Sequence, residues 1–176
     1  MNVILGVSGS ISAYRAVDLL RLFRKDGHQV DVVLTEAGAR FIPPLTLETF
    51  APGRVFTSMF QPGQDPLLHI HLTDHCDLLL VAPASAGILG RMAAGFASDL
   101  LSTIYLAHAG RTVVAPAMNT RMYAHPAVVA NLARLRQLGV EVIEPEVGSL
   151  ACAVEGKGRL PAPETIYRHC LGRESC

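Results

Sequence analysis

Pro116-Ala117-Met118-Asn119-Thr120-Arg121-Met122-Tyr123 is the stretch of this chain best suited to gripping a flat ligand with polar edges. The Asn119 amide offers both donors and an acceptor. Met118 and Met122 offer soft, polarisable apolar surface. The stretch follows Thr112-Val113-Val114-Ala115, an apolar run that reads as a buried parallel strand. In open α/β sheets, ligands bind at the carboxyl ends of strands. The same residues also suit plainer roles: Asn119 as a helix cap, and the methionines as a core stripe at helical spacing.

Four other segments carry groups with chemical potential. Gly6-Val7-Ser8-Gly9-Ser10-Ile11-Ser12 joins a strand to a helix, and its N–H groups and hydroxyls suit a phosphate. It lacks both the Gly-Lys-Ser/Thr of a P-loop and three spaced dinucleotide glycines, so one phosphate is the better match. An ordinary turn capped by Ser10 fits the same residues. Thr35, at the end of the next strand, either adds a hydroxyl to that phosphate site or caps its own helix. Ala82-Pro83-Ala84-Ser85-Ala86-Gly87 ends another strand in small residues, which let a planar ring approach the backbone or simply make a tight connection. In His69-Ile70-His71-Leu72-Thr73-Asp74-His75-Cys76, His69 is a candidate general base, or an exposed histidine. His71 and His75 share a helix face but have no clear third ligand, so no metal is expected. Gly148 to Arg159 reads as a mobile, glycine-punctuated loop. Its Cys152 is either a proton donor on a closing flap or an inert thiol. Lys157 and Arg159 there suit an anionic substrate.

These segments need a scaffold that brings strand ends together. Apolar runs at Val3 to Val7, Val30 to Leu34, Val55-Phe56, Asp77 to Ala82, Thr112 to Ala115 and Glu141 to Ile143 read as strands. Helical patterns fall at Ile11 to Lys25, Thr35 to Phe41, Thr46 to Phe50, Ala86 to His108, His125 to Leu138 and Pro163 to Cys170. The alternation predicts an α/β, Rossmann-like three-layer fold with a six-stranded parallel sheet, order 3-2-1-4-5-6, and right-handed crossovers. One domain over residues 1–176 is expected.

Net charge is zero and no basic stripe is present, so nucleic acid is not an expected partner. No apolar run reaches the roughly 18 residues of a membrane span. Met1-Asn2-Val3-Ile4-Leu5 enters a strand without a basic lead, so no secretory signal is expected. Four cysteines without zinc or disulfide spacing fit a reducing cytoplasm. Cys76 reads as core. Only 17% of residues are charged, against roughly 25% in typical soluble domains, which predicts surface buried against other subunits.

Taken together and in this order, Ser8-Gly9-Ser10, His69-Ile70-x-Leu72, Pro83-Ala84-Ser85-Ala86, Pro116-Ala117-Met118-Asn119-x-x-Met122 and Ala151-Cys152 resemble the flavin-dependent cysteine decarboxylases. That family includes phosphopantothenoylcysteine decarboxylase and the decarboxylases of peptides ending in cysteine. The resemblance runs from Val3 to about Tyr167. It implies FMN bound between the subunits of a homotrimer, with four trimers forming a dodecamer in some members. It further implies that Ser8, Gly9, Ser10, Ile11 and Thr35 serve the phosphate region, and that Ser85, Ala86, Gly87, Ala117 and Met118 line the flavin. Asn119 would hold a substrate carboxylate, His69 would be the base, and Cys152 the acid on the flap. The implied reaction is decarboxylation of 4'-phosphopantothenoyl-cysteine to 4'-phosphopantetheine in coenzyme A synthesis, with a phosphopantothenate–cysteine ligase as partner. Peptide decarboxylases stop at an enethiol and need no such acid, so Cys152 favours the small substrate. Oxidative decarboxylation of a peptide C-terminal cysteine, or a non-catalytic flavin-binding regulatory subunit, are the alternatives. Four positions depart from the family: Gly87 (commonly Asn), Ala153 (Gly), Tyr123 (Trp) and His71 (acidic).

Overall fold

A computed structural model describes residues 1–61, 63–149 and 155–172 of the chain. Six parallel strands form the main sheet: β1 (Asn2–Val7), β2 (Gln29–Leu34), β3 (Val55–Phe56), β4 (Leu78–Ala84), β5 (Arg111–Pro116) and β6 (Glu141–Val142). Their order is β3-β2-β1-β4-β5-β6, as the sequence predicts. The crossover elements are a 3-10 helix (Ile11–Arg15), α1 (Ala16–Lys25), α2 (Glu36–Phe41), α3 (Pro44–Glu48), α4 (Leu68–Thr73), α5 (Ala86–Ala94), α6 (Leu100–Ala107), α7 (Thr120–Tyr123) and α8 (Pro126–Gln137). An antiparallel hairpin, β7 (Glu146–Ser149) and β8 (Glu155–Arg159), then precedes α9 (Pro163–Cys170).

Strand side chains alternate between two cores. Val3, Leu5, Val32, Leu80 and Val113 pack with Leu19, Leu20 and Phe23 of α1 and Ile166 of α9. Ile4, Val33, Leu79, Val81 and Val114 pack with α5, α6 and α8 through Ile88, Leu101 and Leu135. Burial on both faces is why the strands are nearly continuous apolar runs; all seven residues of β4 are buried. On the α1 side, the Phe23 and Tyr167 rings meet edge to face at 4.9 Å, and the Tyr167 hydroxyl donates to Asp26.

Three elements differ from the sequence pattern. The helical stretch from Ala86 to His108 is two helices: Gly95, at φ +73°, ends α5, and a reciprocal cap between Asp99 and Ser102 starts α6. The first turn after β1 is 3-10, with α-helix only from Ala16. The glycine-punctuated stretch read as a loop has strand for its arms, while Leu150 to Val154 lie outside the described residues. None of the helices among the described residues is long and apolar enough to cross a membrane.

The amino edge of the sheet is tied to α9. Arg111 forks onto Glu141 at 2.7 and 2.8 Å and donates to the carbonyls of His169 and Cys170. His169 Nε2 lies 2.9 Å from the same carboxylate. Burial pushes the Cys170 thiol up to about 12 and that of half-buried Cys76 up to about 11, so both remain protonated. The Arg111 hydrogen bond holds the Glu141 carboxyl below its usual 4.5. A lowered carboxylate pKa stabilises the fold fully above the unfolded value and is lost as pH falls through the folded one. Urea unfolding should therefore show Glu141→Gln less stable than wild type at pH 7, with the gap closing below pH 4.5. A gap that is constant down to pH 3 would remove this carboxylate from the acid limb.

Candidate functional site

The carboxyl ends of β1 and β4 meet around the hydroxyl of Ser8, and the exit of β5 joins them where the Ala117 amide bonds the Ala84 carbonyl at 3.1 Å. The Ser8 hydroxyl is buried, donates to the Pro83 carbonyl at 2.8 Å and accepts from the Ser85 amide at 2.8 Å. The next residues are braced from behind by α2. Thr35 caps that helix by accepting from the Gly38 amide at 3.0 Å, and its own amide bonds the Val7 carbonyl at 3.0 Å. A Cβ on Gly9 would lie 2.6 Å from Ala37 Cβ, and one on Gly38 would lie 2.4 Å from the Val7 oxygen. Glycine at both positions lets α2 press against the turn. Ser8 and Thr35 thus stand behind the wall of the site, with their hydroxyls engaged inside the fold.

In front of that wall lies a cleft of about 630 Å³, within the ~300–1,000 Å³ of small-molecule sites. Gly9, Ser10 and Ile11 line one side, and Ser85 and Ala86 line the start of α5. Ala117, Met118 and Asn119 line the exit of β5. Ser10 caps the 3-10 helix, accepting from the Ser12 amide at a long 3.4 Å. Ser85 caps α5 at the same distance. Gly87 lies on the exposed side of α5, where an added Cβ would meet nothing closer than Ser85 Oγ at 3.9 Å. Ile11, Tyr14 and Met122 present partly exposed apolar surface to the cleft.

Sequence reasoning missed how the hairpin closes the cleft. Gly158 of β8 accepts from the Met118 amide at 3.0 Å. Gly158 has φ +153°, and a Cβ there would lie 2.2 Å from the Met118 oxygen. The chain can pass that close only as glycine. A Cβ on Gly156 would likewise lie 2.4 Å from Thr120 Oγ1. Asn119 caps α7, its Oδ1 accepting from the Arg121 amide at 2.8 Å. Arg15 and Arg159 both line the cleft, with no acidic residue among the described lining. Arg15 donates to the Leu160 and Pro161 carbonyls at 3.5 Å. Arg15 was not singled out in the sequence, because its signal, a cation one turn past a Ser cap, is common.

His69 lies on α4 and is not among the residues lining this cleft in its own chain. Its Nδ1 is buried without a hydrogen-bond partner in the single chain. His71 instead pairs with Asp65. The Leu67 amide and His71 hold the Asp65 carboxyl low. No cluster of three or more potential metal ligands occurs among the described residues. Cys152 lies outside the described residues.

A family model described as Flavoprotein matches residues 1–174. The coenzyme A biosynthesis bifunctional protein CoaBC of Bacillus subtilis is 44% identical over 168 residues, covering 95% of this chain and 41% of its own. The chain spans about two-fifths of the length of the curated relatives it matches. A solved variant of PPC decarboxylase complexed with pantothenoylaminoethenethiol has a TM-score of 0.85 at 33% identity, covering 99% of this chain and 98% of that one. The FMN-dependent cysteine decarboxylase SpaF has a TM-score of 0.78 at 27% identity, covering 94% and 97%.

The two glycine environments make opposite demands. Gly158→Ala should cost about 1–3 kcal/mol, since it strains φ and collides with backbone. Gly87→Ala, in a helix with open space, should be neutral or stabilise by up to about 1 kcal/mol. Paired urea melts would check this; equal stabilities would mean the hairpin does not seat on Met118 as described.

Proposed function

The chain belongs to the flavoprotein family, and from that premise we propose that it is an FMN-dependent carboxy-lyase. Its proposed reaction converts 4'-phosphopantothenoyl-cysteine to 4'-phosphopantetheine in coenzyme A synthesis. The observation that carries this reading is the convergence of Ser10, Ser85 and Asn119 on one cleft that holds two arginines and no acidic residue among its described lining. The residues fit the cofactor. Backbone amides of the Ser10 turn suit a phosphate, and the partly exposed faces of Ile11, Met118 and Met122 suit a ring system. Gly9, Ser10 and Ile11 would meet the phosphate, with Ser8 and Thr35 bracing them. Ser85, Ala86, Ala117 and Met118 would line the ring, with Gly87 leaving room beside it.

Bound FMN supplies a reversible two-electron acceptor, the sink that a cysteine carboxylate lacks. The protein's part is to bind, orient and protonate. Asn119 would hold the substrate carboxylate by its amide. Arg15 and Arg159 would draw an anionic substrate into the cleft. Cys152 would deliver the proton that completes reduction to the saturated thiol.

His69 would act in the cleft of a neighbouring copy. Leu67 and Ile70, on either side of it, are exposed, as is Phe60 at 87%, which supports burial of this surface in a homotrimer or a dodecamer. Each cleft would then be completed by His69 of the partner subunit. A phosphopantothenate–cysteine ligase is the proposed partner, because relatives named as bifunctional are more than twice as long as this chain. A reducing cytoplasm is the proposed location.

Two experiments test the reading. The purified protein should be yellow, or turn yellow with FMN, and mass spectrometry should find the fully reduced product. Cys152→Ser should accumulate a product two hydrogens lighter. Full turnover by that variant would remove Cys152 from the mechanism, and the lighter product from wild type would favour the peptide reading. Separately, His69→Asn and Asn119→Ala should each abolish activity. Unfolded together and refolded as mixed oligomers, they should regain a fraction of it, because some clefts would draw both intact residues from different chains. No recovery would place His69 and Asn119 in the same chain's site.

A further inference from the structure

Glu144, between β6 and β7, is the one acidic residue bonded to three elements at once among the described residues. Its Oε2 accepts from the Tyr123 hydroxyl at 2.9 Å and from Lys157 Nζ at 2.5 Å, and Arg136 donates to its Oε1. Tyr123 ends α7, Arg136 lies in the last turn of α8, and Lys157 lies in the middle of β8. Lys157 Nζ also sits 5.6 Å over the Tyr123 ring. The three donors hold the Glu144 carboxyl below its usual range, Lys157 foremost. Burial and the Glu144 bond push Tyr123 up to about 12, so the phenol stays a donor.

The neighbours of Lys157 give this cluster its leverage. Gly156 rests on Thr120 and Gly158 on Met118, each closer than a Cβ would permit, and Gly158 accepts the Met118 amide. β8 therefore touches the segment from Met118 to Tyr123 at three successive residues. Asn119, the cap of α7, sits between two of those contacts. A side chain that pulls Lys157 and Tyr123 together presses β8 onto the loop that presents Asn119.

We propose that Glu144 is a positioning residue for Asn119, acting through Lys157 and Tyr123 to fix the loop that would grip the substrate carboxylate. The inference rests on the function proposed above. An isolated pair at a half-exposed position is worth little. Three donors from separate elements on one carboxylate restrict geometry more than they add stability, and small misplacements of a binding group are costly. Tyr123 stands where Trp is common in the family that the sequence resembles, so the phenol–carboxylate bond is a feature of this chain.

Glu144→Gln and Tyr123→Phe test it, measured on the FMN-loaded oligomer. Both should leave the melting temperature and flavin content near wild type. Hydrogen exchange over residues 118–123 should rise about tenfold, with the remaining helices unchanged. KM for phosphopantothenoyl-cysteine should rise about three- to tenfold, with kcat within about twofold. Inhibition by 4'-phosphopantetheine, which lacks the carboxylate, should not change. Unchanged exchange over 118–123 overturns the proposal. So does an equal loss of affinity for the carboxylate-free product, which would signal a general disturbance of the cleft. A wild type that does not turn over this substrate sinks the proposed reaction instead, and the exchange comparison alone then decides whether Glu144 holds the loop.

Discussion

In a parallel sheet every strand ends at the same edge, and the main walls of this site follow from that constraint. Six carboxyl ends and their loops gather along one side, the side on which open α/β sheets bind their ligands. The edge would be ragged if each strand stopped independently. The buried hydroxyl of Ser8 prevents this by bonding both sides of the β4 exit, the Pro83 carbonyl and the Ser85 amide. The start of α5 and the turn after β1 are thereby placed in one frame, and the cleft is the space in front of it. The Pro83 carbonyl also accepts from the Ser8 amide at 3.3 Å, so the Ser85 amide is the group that depends on the hydroxyl, and leaving it unpaired would cost about 1–3 kcal/mol.

The remaining wall comes from outside the main sheet. The hairpin is added after β6, and only glycine lets its second strand sit on the Met118 loop. At the opposite edge Arg111 and Glu141 bind α9 to the ends of β5 and β6. The chain leaving the hairpin is thus anchored soon after it departs the site, through α9 packed on α1.

Much of this was legible in the sequence, for identifiable reasons. The four central strands, largely buried, are near-continuous apolar runs and could be read directly, and their alternation with helices dictated the sheet; the half-buried edge strands β3 and β6 left only two residues each. The break after Ala94 left two written signals, a glycine and an Asp-x-x-Ser cap, which a purely apolar periodicity overrides. The hairpin arms left almost none: Glu155-Gly156-Lys157-Gly158-Arg159 has no apolar alternation, because its closest contacts, at Gly156 and Gly158, depend on the absence of a side chain. Hydroxyls were the other source of ambiguity. Ser8, Ser10 and Thr35 look alike as residues at strand ends, yet Ser8 and Thr35 face into the fold while Ser10 lines the cleft. Burial does not separate them, since all three are buried; the partner each hydroxyl takes does, and that is a property of packing. The place proposed for His69 could not be read from one chain's residues either, since nothing local says that a histidine beside exposed Leu67 and Ile70 would serve another copy.

Asn119 shows why a structural role and the carboxylate-binding role proposed for it need not compete. Its Oδ1 accepts from the Arg121 amide. A backbone N–H accepts no substitute for oxygen there, so the cap decides which end of the amide faces α7. The other end then carries only donors, which is the chemistry a carboxylate requires. Had Asn119 not capped the helix, its amide could turn over and present an acceptor to the same anion. Asp in its place would cap as well and repel the anion, while Ser or Thr would cap but offer only a single donor. Filling both roles at once favours asparagine, and the cap would be part of how the proposed binding group is prepared.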